Sequence, residues 1–594
     1  MRRTDRKLTR RRSQPGGVRW LSTSDVVLDH ADVIVIGGGA TGIGLLWDLI
    51  LRGLDVILLE QGSLASGTSG AFHGLLHSGA RYAGSDPATA AECLAENRIL
   101  RKVAREFVGN TGGIFARLEE DDPAWERRWR QGCRSAGLRP ERVALDDLRA
   151  SEPALSPGLV AAYRVPDATI DGFGLLWSLV WSATDSGARV YFGARVTDFL
   201  TDEAGVRGVR VMGVGAVRRP PSDDIGEDPR VRIAPAGPVE PGEIVAPVVV
   251  NATGPWAGDV AALAGPRAQA AVPVERDKGV MIVFNSRLVS TVVNRLRPPG
   301  DGDILVPHGP VTILGTSSAK VEGPERPVPT PAEVKRILTE GRALVPGLDS
   351  VAPLRAYAGV RPLLRAGGRG FMLIDHGQSG GPAGLVTIAG GKFTTFRAMA
   401  EVAGDLVVRL MGKKVSSRTA EVGIPRLGRN LSSRLFAPSP AAATPTTGTS
   451  GPAATGATLP NLDELLACEC EFVSLSGLLG LLDEGLHLAD LGRLTRLGMG
   501  GCQGVFCAQR LAGAMWQTGW PGSRRRPHPD EAAIAREAEA FRTARLSGIK
   551  SVEWGTQARL AAVAKALDRL TLGNDDRLTL GNDDRLTLGE GDHP

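Results

Sequence analysis

Apolar and polar residues alternate in short blocks from residue 30 to about residue 425, in a pattern that predicts strands followed by helices. The first clear strand covers residues 32–36, where four β-branched residues follow an aspartate. A glycine-rich turn comes next, and residues 43–51 have the apolar character of a packed helix. A second apolar strand covers residues 55–59. This alternation is typical of an α/β fold.

Changes in composition divide the chain into a basic arm over 1–29, the α/β region over 30–425, a linker over 426–460, a helical domain over 461–545 and a tail over 546–594. The linker is rich in Pro, Ala, Thr and Gly, so we expect it to be flexible. The tail holds two copies of RLTLGNDD and a partial third, too few for a solenoid. Residues 214–242 predict a surface insertion.

The overall composition is that of a large globular protein. Glycine (76) and proline (39) together stay below the roughly 25–30% typical of low-complexity chains. The 42% hydrophobic content allows a large core, which excludes collagen-like, wholly disordered and disulfide-stapled chains. No run of 18 apolar residues is free of charge, so we expect no transmembrane segment. Six cysteines without a signal peptide favour a reducing, cytoplasmic location.

The charge of the chain is concentrated at its start. The formal net charge is +5, but residues 1–19 alone contribute +7, which leaves −2 for the remainder. A basic arm can touch anionic lipid or nucleic acid. We favour a solvated leader and therefore expect no nucleic-acid partner.

The glycine-rich turn has the spacing of a dinucleotide-binding motif. In G-x-G-x-x-G, Gly37 makes the tight turn, Gly39 lets the backbone approach a pyrophosphate, and Gly42 lets the helix pack on the strand. The positive end of the helix dipole then faces the phosphates. Glu60 ends the second strand, 18 residues beyond Gly42, where a carboxylate can accept hydrogen bonds from ribose hydroxyls.

The choice of dinucleotide follows from Glu60 and two later strand ends. An acid at this position argues against a 2′-phosphate and leaves FAD or NAD. One apolar strand runs into Thr253-Gly254 and another into Gly390-Gly391, and such strand–glycine endings return the chain to the cofactor in FAD oxidoreductases. The sequence therefore predicts FAD.

Five segments resemble the FAD-dependent glycerol-3-phosphate dehydrogenases, most closely the large catalytic subunit of the anaerobic enzyme. They are GLLHSGARYA (74–83), VVVNATGPWAGD (248–259), DKGVMIVF (277–284), RAYAGVRPLL (355–364) and IAGGKFTTFRAMAE (388–401). The resemblance implies a Rossmann-like FAD-binding domain of the glutathione-reductase type over about 30–270 and 376–425. A mixed-sheet substrate domain is expected over about 271–375.

A flavin-dependent alcohol dehydrogenase needs an anchor for the substrate, and here the resemblance implies a phosphate. Arginine suits a phosphate because its planar guanidinium can bind two oxygens at once. Arg361 is the predicted principal ligand and Arg81 the second. Lys392, beside the predicted flavin loop, is expected to stabilise the reduced ring or to hold substrate. Tyr82 is predicted to hydrogen-bond the substrate or to pack.

The reaction also needs a group that accepts the hydroxyl proton. We assign this role to His77, since an imidazole can take a proton near neutral pH. His73 is the competing assignment, and an arginine-assisted mechanism is a third.

Four of the six cysteines are clustered near the C-terminus. Cys468 and Cys470 form C-x-C, and Cys502 and Cys507 form C-x4-C, a set of four thiolates that suits a [2Fe–2S] cluster or a structural zinc. Residues 496–504 resemble the bacterioferritin-associated-ferredoxin type of [2Fe–2S] domain. The resemblance favours the [2Fe–2S] cluster over zinc.

The resemblance implies oxidation of sn-glycerol 3-phosphate to dihydroxyacetone phosphate. Hydride would pass to FAD, and electrons would then leave through the iron–sulfur domain to the quinone pool. Without a membrane span, this requires a membrane-associated electron-transfer subunit or a peripheral position on the inner face of the cell membrane.

Two rival functions remain open at this stage. One is a flavin oxidase or dehydrogenase of a 2-hydroxy acid or amino acid. The other is a non-catalytic redox sensor or electron-transfer scaffold.

Overall fold

The computed structural model describes residues 27–212, 215–218, 232–233, 242–325, 327–365, 370–425, 465–483, 488–501, 503–518, 531–552 and 562. The predicted basic arm, the linker and the RLTLGNDD repeats lie outside the described residues, apart from residues 27–29 at the end of the arm.

The helices in chain order are α1 (Ala40–Leu51), α2 (Pro87–Val103), α3 (Pro123–Ser135), α4 (Leu145–Ser151), α5 (Gly172–Asp185), α6 (Ala257–Ala262), α7 (Pro266–Ala270), α8 (Pro331–Leu344), α9 (Phe396–Leu410), α10 (Leu475–Asp483), α11 (Leu488–Thr495), α12 (Val505–Thr518) and α13 (Glu531–Ile549).

The strands in chain order are β1 (Val27–His30), β2 (Val33–Ile36), β3 (Val56–Glu60), β4 (Leu75–Leu76), β5 (Val108–Gly109), β6 (Gly113–Leu118), β7 (Glu141–Arg142), β8 (Leu159–Val165), β9 (Ala168–Ile170), β10 (Arg189–Phe192), β11 (Arg195–Asp202), β12 (Gly205–Met212), β13 (Gly215–Arg218), β14 (Arg232–Ile233), β15 (Gly242–Val245), β16 (Val248–Asn251), β17 (Val274–Phe284), β18 (Val292–Arg295), β19 (Ile304–His308), β20 (Val311–Gly315), β21 (Ala319–Lys320), β22 (Pro353–Leu364), β23 (Phe371–Asp375), β24 (Leu385–Gly390), β25 (Leu466–Cys468) and β26 (Val473–Ser474).

The central sheet has eight strands in the order β14-β13-β10-β3-β2-β16-β24-β23. Strands β3, β2, β16 and β24 are parallel neighbours, with Val33 opposite Val56 on one side and Val248 on the other. These strands are buried on both faces, as continuous β-branched runs in a parallel sheet should be. Their carboxyl ends meet at one edge, which brings the glycine turn, Glu60, Asn251 and Gly390 together.

Helices cover one face of this sheet and a smaller sheet covers the other. Helix α1 packs between α5 and α9, and their apolar residues form one continuous core with the strands. On the opposite face, the four-stranded sheet β1-β15-β12-β11 contributes a second core. The predicted α/β, Rossmann-like fold class is confirmed.

The substrate domain is built on a nine-stranded mixed sheet in the order β21-β17-β20-β19-β18-β6-β8-β7, with β22 paired to β17. The sequence assigned this domain to residues 271–375, but β6, β7 and β8 from earlier in the chain belong to the same sheet. Strand β6 joins it by parallel pairing with β18, in which Gly113 lies opposite Val292. No local pattern reveals a contact between segments so far apart in the sequence.

The predicted surface insertion, residues 214–242, is described only in part. Two short strands from it, β13 and β14, extend the edge of the central sheet, where β13 pairs with β10. Among the described residues, no helix is both long enough and apolar enough to cross a membrane.

The C-terminal helices pack directly against the rest of the chain. Arg493 on α11 donates a hydrogen bond to the carbonyl of Leu64 at 3.2 Å, and its guanidinium lies 5.5 Å from the ring centroid of Phe173. Val552, just after α13, is fully buried in the substrate-domain core. The predicted tail therefore begins with residues that belong to the folded structure, and α13 extends beyond the predicted end of the helical domain at 545.

Candidate active site

A cavity of about 1070 Å³ opens at the carboxyl edge of the central sheet and continues beneath the substrate-domain sheet. Nearly all site residues predicted for the flavin region line this one cavity. They are Gly37, Gly39, Glu60, His77, Arg81, Tyr82, Thr253, Gly254, Arg361, Gly390, Gly391 and Lys392. The competing histidine, His73, lines it as well.

The glycine turn leaves no room for side chains at two positions. Gly37 has φ +111°, in the left-handed region, and a Cβ there would lie 2.7 Å from the carbonyl oxygen of Ala252. Gly42 lies behind the cavity wall rather than in it, and a Cβ there would lie 1.9 Å from the carbonyl oxygen of Gly37. The packing role predicted for Gly42 therefore has a direct steric basis.

Glu60 is held at the end of β3 by backbone donors on both sides. Gly38 N–H donates to its Oε2 and Gly62 N–H to its Oε1, each at 2.7 Å. Burial raises the pKa of Glu60, and these donors lower it in part. The Ser66 hydroxyl also reaches the carboxylate, at 3.3 Å.

The beginning of α1 is arranged to receive an anion. Helix α1 starts at Ala40, whose N–H donates to the hydroxyl of Ser69 at 2.9 Å, and both residues line the cavity. The N-terminus of a helix attracts anions such as pyrophosphate, because its N–H groups and the positive end of its dipole face the ligand. Ser66 and Ser69 were not among the predicted site residues, although both lie in a Ser- and Gly-rich stretch just after Glu60. Together the steric gaps, the buried acid and the helix terminus fit the diphosphate and ribose of FAD.

His77 lies in a firmly held segment of the cavity wall. Its N–H donates to the hydroxyl of Thr394 at 3.1 Å, and its carbonyl accepts from the Asn97 side chain at 3.2 Å. Its ring is 5.4 Å from that of Tyr82 and 5.6 Å from that of His73, between centroids. The structure therefore brings both candidate histidines to the same wall.

His73 is in a setting that keeps its imidazole neutral. Burial, followed by the charges of Arg81 and Arg361, lowers the pKa of His73 to about 3. Its Nδ1 accepts a hydrogen bond from Leu75 N–H at 3.2 Å, and its carbonyl lies 3.1 Å from Nε2 of His308. The structure therefore holds His73 as a neutral hydrogen-bond acceptor, and His77 remains the predicted proton acceptor.

Arg361 is fixed from behind by a buried acid. Its Nη2 lies 2.6 Å from Oδ2 of Asp277 and donates to the carbonyl of Ser317, also at 2.6 Å. Asp277 is 4% exposed and also accepts from the Ser318 hydroxyl at 2.7 Å. Asp277 was not among the predicted site residues, although it begins the segment DKGVMIVF (277–284) and pairs across the sheet with Arg361.

Arg81 and Lys392 place two further cations at this cavity. Arg81 Nη2 lies 3.7 Å from Oδ2 of Asp303 and 3.4 Å from the carbonyl of Gly300. Lys392 Nζ lies 5.0 Å from the ring centroid of Tyr82. With Arg361, these residues bring three basic side chains to one cavity, where guanidinium and ammonium groups can donate hydrogen bonds to the oxygens of a phosphate.

The described cysteines lie on neighbouring elements of the C-terminal region. Cys468 ends β25 and Cys507 is in the first turn of α12, which packs against β25, and both are buried. A Cβ on Gly500 would lie 2.2 Å from that of Cys470, so the loop before α12 touches the C-x-C segment. Cys502 lies outside the described residues, among which no group of three or more His, Cys, Asp or Glu side chains is arranged to hold a metal.

Comparison with known sequences decides the family. Residues 32–406 match the profile of FAD dependent oxidoreductases. The chain belongs to this family. FAD is therefore the cofactor of this chain, as the sequence predicts.

Two relatives cover almost the whole chain. The A1 subunit of the anaerobic glycerol-3-phosphate dehydrogenase of Haloferax volcanii is 37% identical, over 92% of this chain and 91% of the relative. The corresponding subunit of the anaerobic enzyme from Escherichia coli K12 is 36% identical, over 89% of this chain and 94% of the relative. At this identity and coverage, the chain belongs with these dehydrogenase subunits, which confirms the resemblance seen in the sequence.

Solved structures show the same fold at lower identity. Glycine oxidase from Geobacillus kaustophilus superimposes with a TM-score of 0.52 and 22% identity, over 67% of this chain and all of that one. L-α-glycerophosphate oxidase from Mycoplasma pneumoniae gives 0.52 and 17% over the same shares.

Replacing Gly42 with alanine is expected to weaken FAD binding by about 5- to 150-fold. The Cβ would collide with the backbone of the pyrophosphate turn, and overpacking of this kind costs about 1–3 kcal/mol. Gly258→Ala is the matched control, because Gly258 is also a helical glycine but has no atom within 4 Å of its ideal Cβ. Equal FAD affinity in the two variants, measured by flavin fluorescence, would contradict the assigned role of Gly42.

Proposed function

We propose that this chain is the catalytic subunit that oxidises sn-glycerol 3-phosphate to dihydroxyacetone phosphate with FAD. The main support for this function is that Arg361, Arg81 and His77 line the same cavity as the glycine turn of the dinucleotide-binding motif. The two relatives described above bear the name of a glycerol-3-phosphate dehydrogenase, which supports the same substrate. The fold alone would fit many substrates, since fold and function are separable.

Each of these side chains has a separate role in the proposed reaction. Arg361 and Arg81 bind the phosphate, with Asp277 and Asp303 holding the two guanidiniums in place. With the phosphate bound in this way, the secondary hydroxyl of the substrate faces His77. His77 takes the hydroxyl proton while C2 becomes a carbonyl carbon. When bound, FAD accepts the hydride that leaves C2.

Product analysis tests the substrate. The purified holoprotein, supplied with an artificial two-electron acceptor, should convert glycerol 3-phosphate to dihydroxyacetone phosphate. One molecule of acceptor should be reduced for each molecule of product formed. Glycine and a 2-hydroxy acid serve as the alternative substrates. A faster reaction with either of these than with glycerol 3-phosphate would replace the proposal with the rival oxidase.

We propose that Cys468, Cys470, Cys502 and Cys507 hold a [2Fe–2S] cluster. The contact between Gly500 and Cys470 supports this, because it brings the loop of the second cysteine pair against the first. The loop also carries left-handed residues, with Gln503 at φ +49° and Gly504 at φ +91°, a conformation that turns successive N–H groups toward one side. Zinc remains the alternative metal for the same thiolates.

We propose that electrons leave through this cluster to the quinone pool, by way of a membrane-associated electron-transfer subunit. The packing of Arg493 on Leu64 and Phe173 supports the first part, since it fixes the cysteine region against the flavin region. The proposal places the protein in the cytoplasm at the inner face of the cell membrane.

Cys507→Ser should abolish the visible absorption of the cluster and retain FAD. Cys507 is 1% exposed and lies in the helical region, far in sequence from the glycine turn that binds the cofactor. Iron and flavin content are measured together with the absorption spectrum. Cys133→Ser is the control, as Cys133 is also buried but lies on α3. Stoichiometric zinc without iron in the unaltered protein would remove the electron-transfer role.

A further inference from the structure

A second cleft, of about 900 Å³, shares no lining residue with the flavin cavity. Four arginines line it, and Glu141 is the one acid among its lining residues. The arginines are Arg98, Arg101, Arg139 and Arg164. The lining therefore carries an excess of three positive charges, which the dehydrogenase reaction proposed above does not use.

The four arginines come from three different parts of the fold. Arg98 and Arg101 lie one turn apart on α2, Arg139 follows α3, and Arg164 is on β8. Gly112 and Gly137 also line the cleft. The space beside Gly112 is open, since an ideal Cβ there would meet no atom within 4 Å. Long-range folding thus collects the charges, rather than a local basic run in the sequence.

Arg101 forms a fixed cationic floor. Its Nε donates to the side chain of Asn97 at 2.9 Å, and its Nη2 donates to the carbonyls of Pro166 and Asp167, both at 3.0 Å. These bonds hold the guanidinium in place. Asn97 in turn donates to the carbonyl of His77, so the floor of this cleft lies directly behind the wall of the flavin cavity.

The other three arginines are exposed and, within the described part of the chain, make no side-chain hydrogen bond or ion pair. In the flavin cavity, by contrast, Arg361 is paired with Asp277 and Arg81 with Asp303. Like charges gathered in a concave site repel one another and raise the local potential, which an anionic ligand would relieve.

We propose that this cleft is a binding site for a phosphoester, carried either by a free phosphorylated metabolite or by the headgroup of an anionic phospholipid. Guanidinium groups bind phosphate oxygens in pairs, and four of them around one concave site match a group with two or more negative charges. The volume is within the range of sites for small ligands.

The test compares two neutralised pairs in the full holoprotein. Arg98→Gln with Arg164→Gln removes two exposed charges from the cleft. Arg409→Gln with Arg418→Gln is the matched control, because both residues are exposed and neither lines either cavity. The first probe is inorganic pyrophosphate, titrated by calorimetry. The second is a set of vesicles of phosphatidylcholine, with and without phosphatidylglycerol, in a flotation assay.

We expect at least one probe to bind the unaltered protein and the control variant. The cleft variant should bind that probe at least about tenfold more weakly, because it lacks two charge-assisted contacts. In the pyrophosphate titration, the cleft variant should show one binding site fewer per chain than the unaltered protein. The constant for inhibition of glycerol 3-phosphate oxidation by pyrophosphate should be the same in both proteins. Loss of pyrophosphate binding identifies a free phosphoester, and loss of binding to the anionic vesicles alone identifies a headgroup. Equal binding by cleft and control variants, or no binding of either probe by the unaltered protein, overturns the proposal.

Discussion

Replacing His77 with glutamine is expected to lower kcat for glycerol 3-phosphate by about 10²–10⁴-fold, the usual contribution of a general base. Glutamine cannot accept the hydroxyl proton, although it is close to histidine in size. The backbone of this segment should not move, because Thr394 and Asn97 hold its N–H and carbonyl. Unchanged flavin content would show that the loss is chemical.

His73→Gln is the control for this prediction. Since burial lowers the pKa of His73 to about 3, the ring is neutral near neutral pH and a neutral amide can replace it. We expect a loss of less than about tenfold, with the acid limb of the kcat/KM profile unchanged. If His73→Gln caused the greater loss, the proton acceptor would be His73.

The same substitution has a consequence for stability. The ordinary pKa of this group is 6.5, so the unfolded chain binds a proton between about pH 3 and 6.5 that the folded chain does not. This group therefore contributes stability that increases as the pH rises through that window. Thermal unfolding of His73→Gln should depend less steeply on pH over the same range.

Replacing Arg361 with lysine is expected to lower kcat/KM for glycerol 3-phosphate by about 10- to 150-fold. Lysine keeps the positive charge beside Asp277 but loses the two-pronged geometry, and a charge-assisted hydrogen bond contributes about 1.5–3 kcal/mol. Arg361→Ala should be worse, because it also leaves the buried carboxylate of Asp277 without its partner. Inorganic phosphate should inhibit both variants less.

Glycerol is the control substrate for both Arg361 variants. It has no phosphate and is expected to react slowly, so its rate should change little if Arg361 acts as the anchor. Equal losses for glycerol and glycerol 3-phosphate, at unchanged FAD content, would mean that the arginine supports the fold and does not bind the phosphate.

Local patterns in the sequence were sufficient for the nucleotide-binding half of the site. Strand β2, the glycine turn and Glu60 are close in sequence, and their roles depend on backbone geometry that a motif encodes. The resemblance added Arg361 and His77, which the structure brings to the same cavity.

The rest of the site depends on contacts between distant segments. Asp277 became recognisable only when β17 paired with β22 and placed it opposite Arg361. The contribution of β6 to the substrate domain has the same origin. The packing of Arg493 on the flavin region also joins distant segments, and no local pattern in the sequence indicates it.

The most direct test of the account is the absorption spectrum of the purified holoprotein before and after anaerobic addition of glycerol 3-phosphate. We expect glycerol 3-phosphate to bleach the flavin absorption, while glycine and a 2-hydroxy acid leave it unchanged at the same concentration. An oxidised flavin that persists with glycerol 3-phosphate, and that either of the other two compounds reduces, would contradict the assignment of this chain as a glycerol-3-phosphate dehydrogenase.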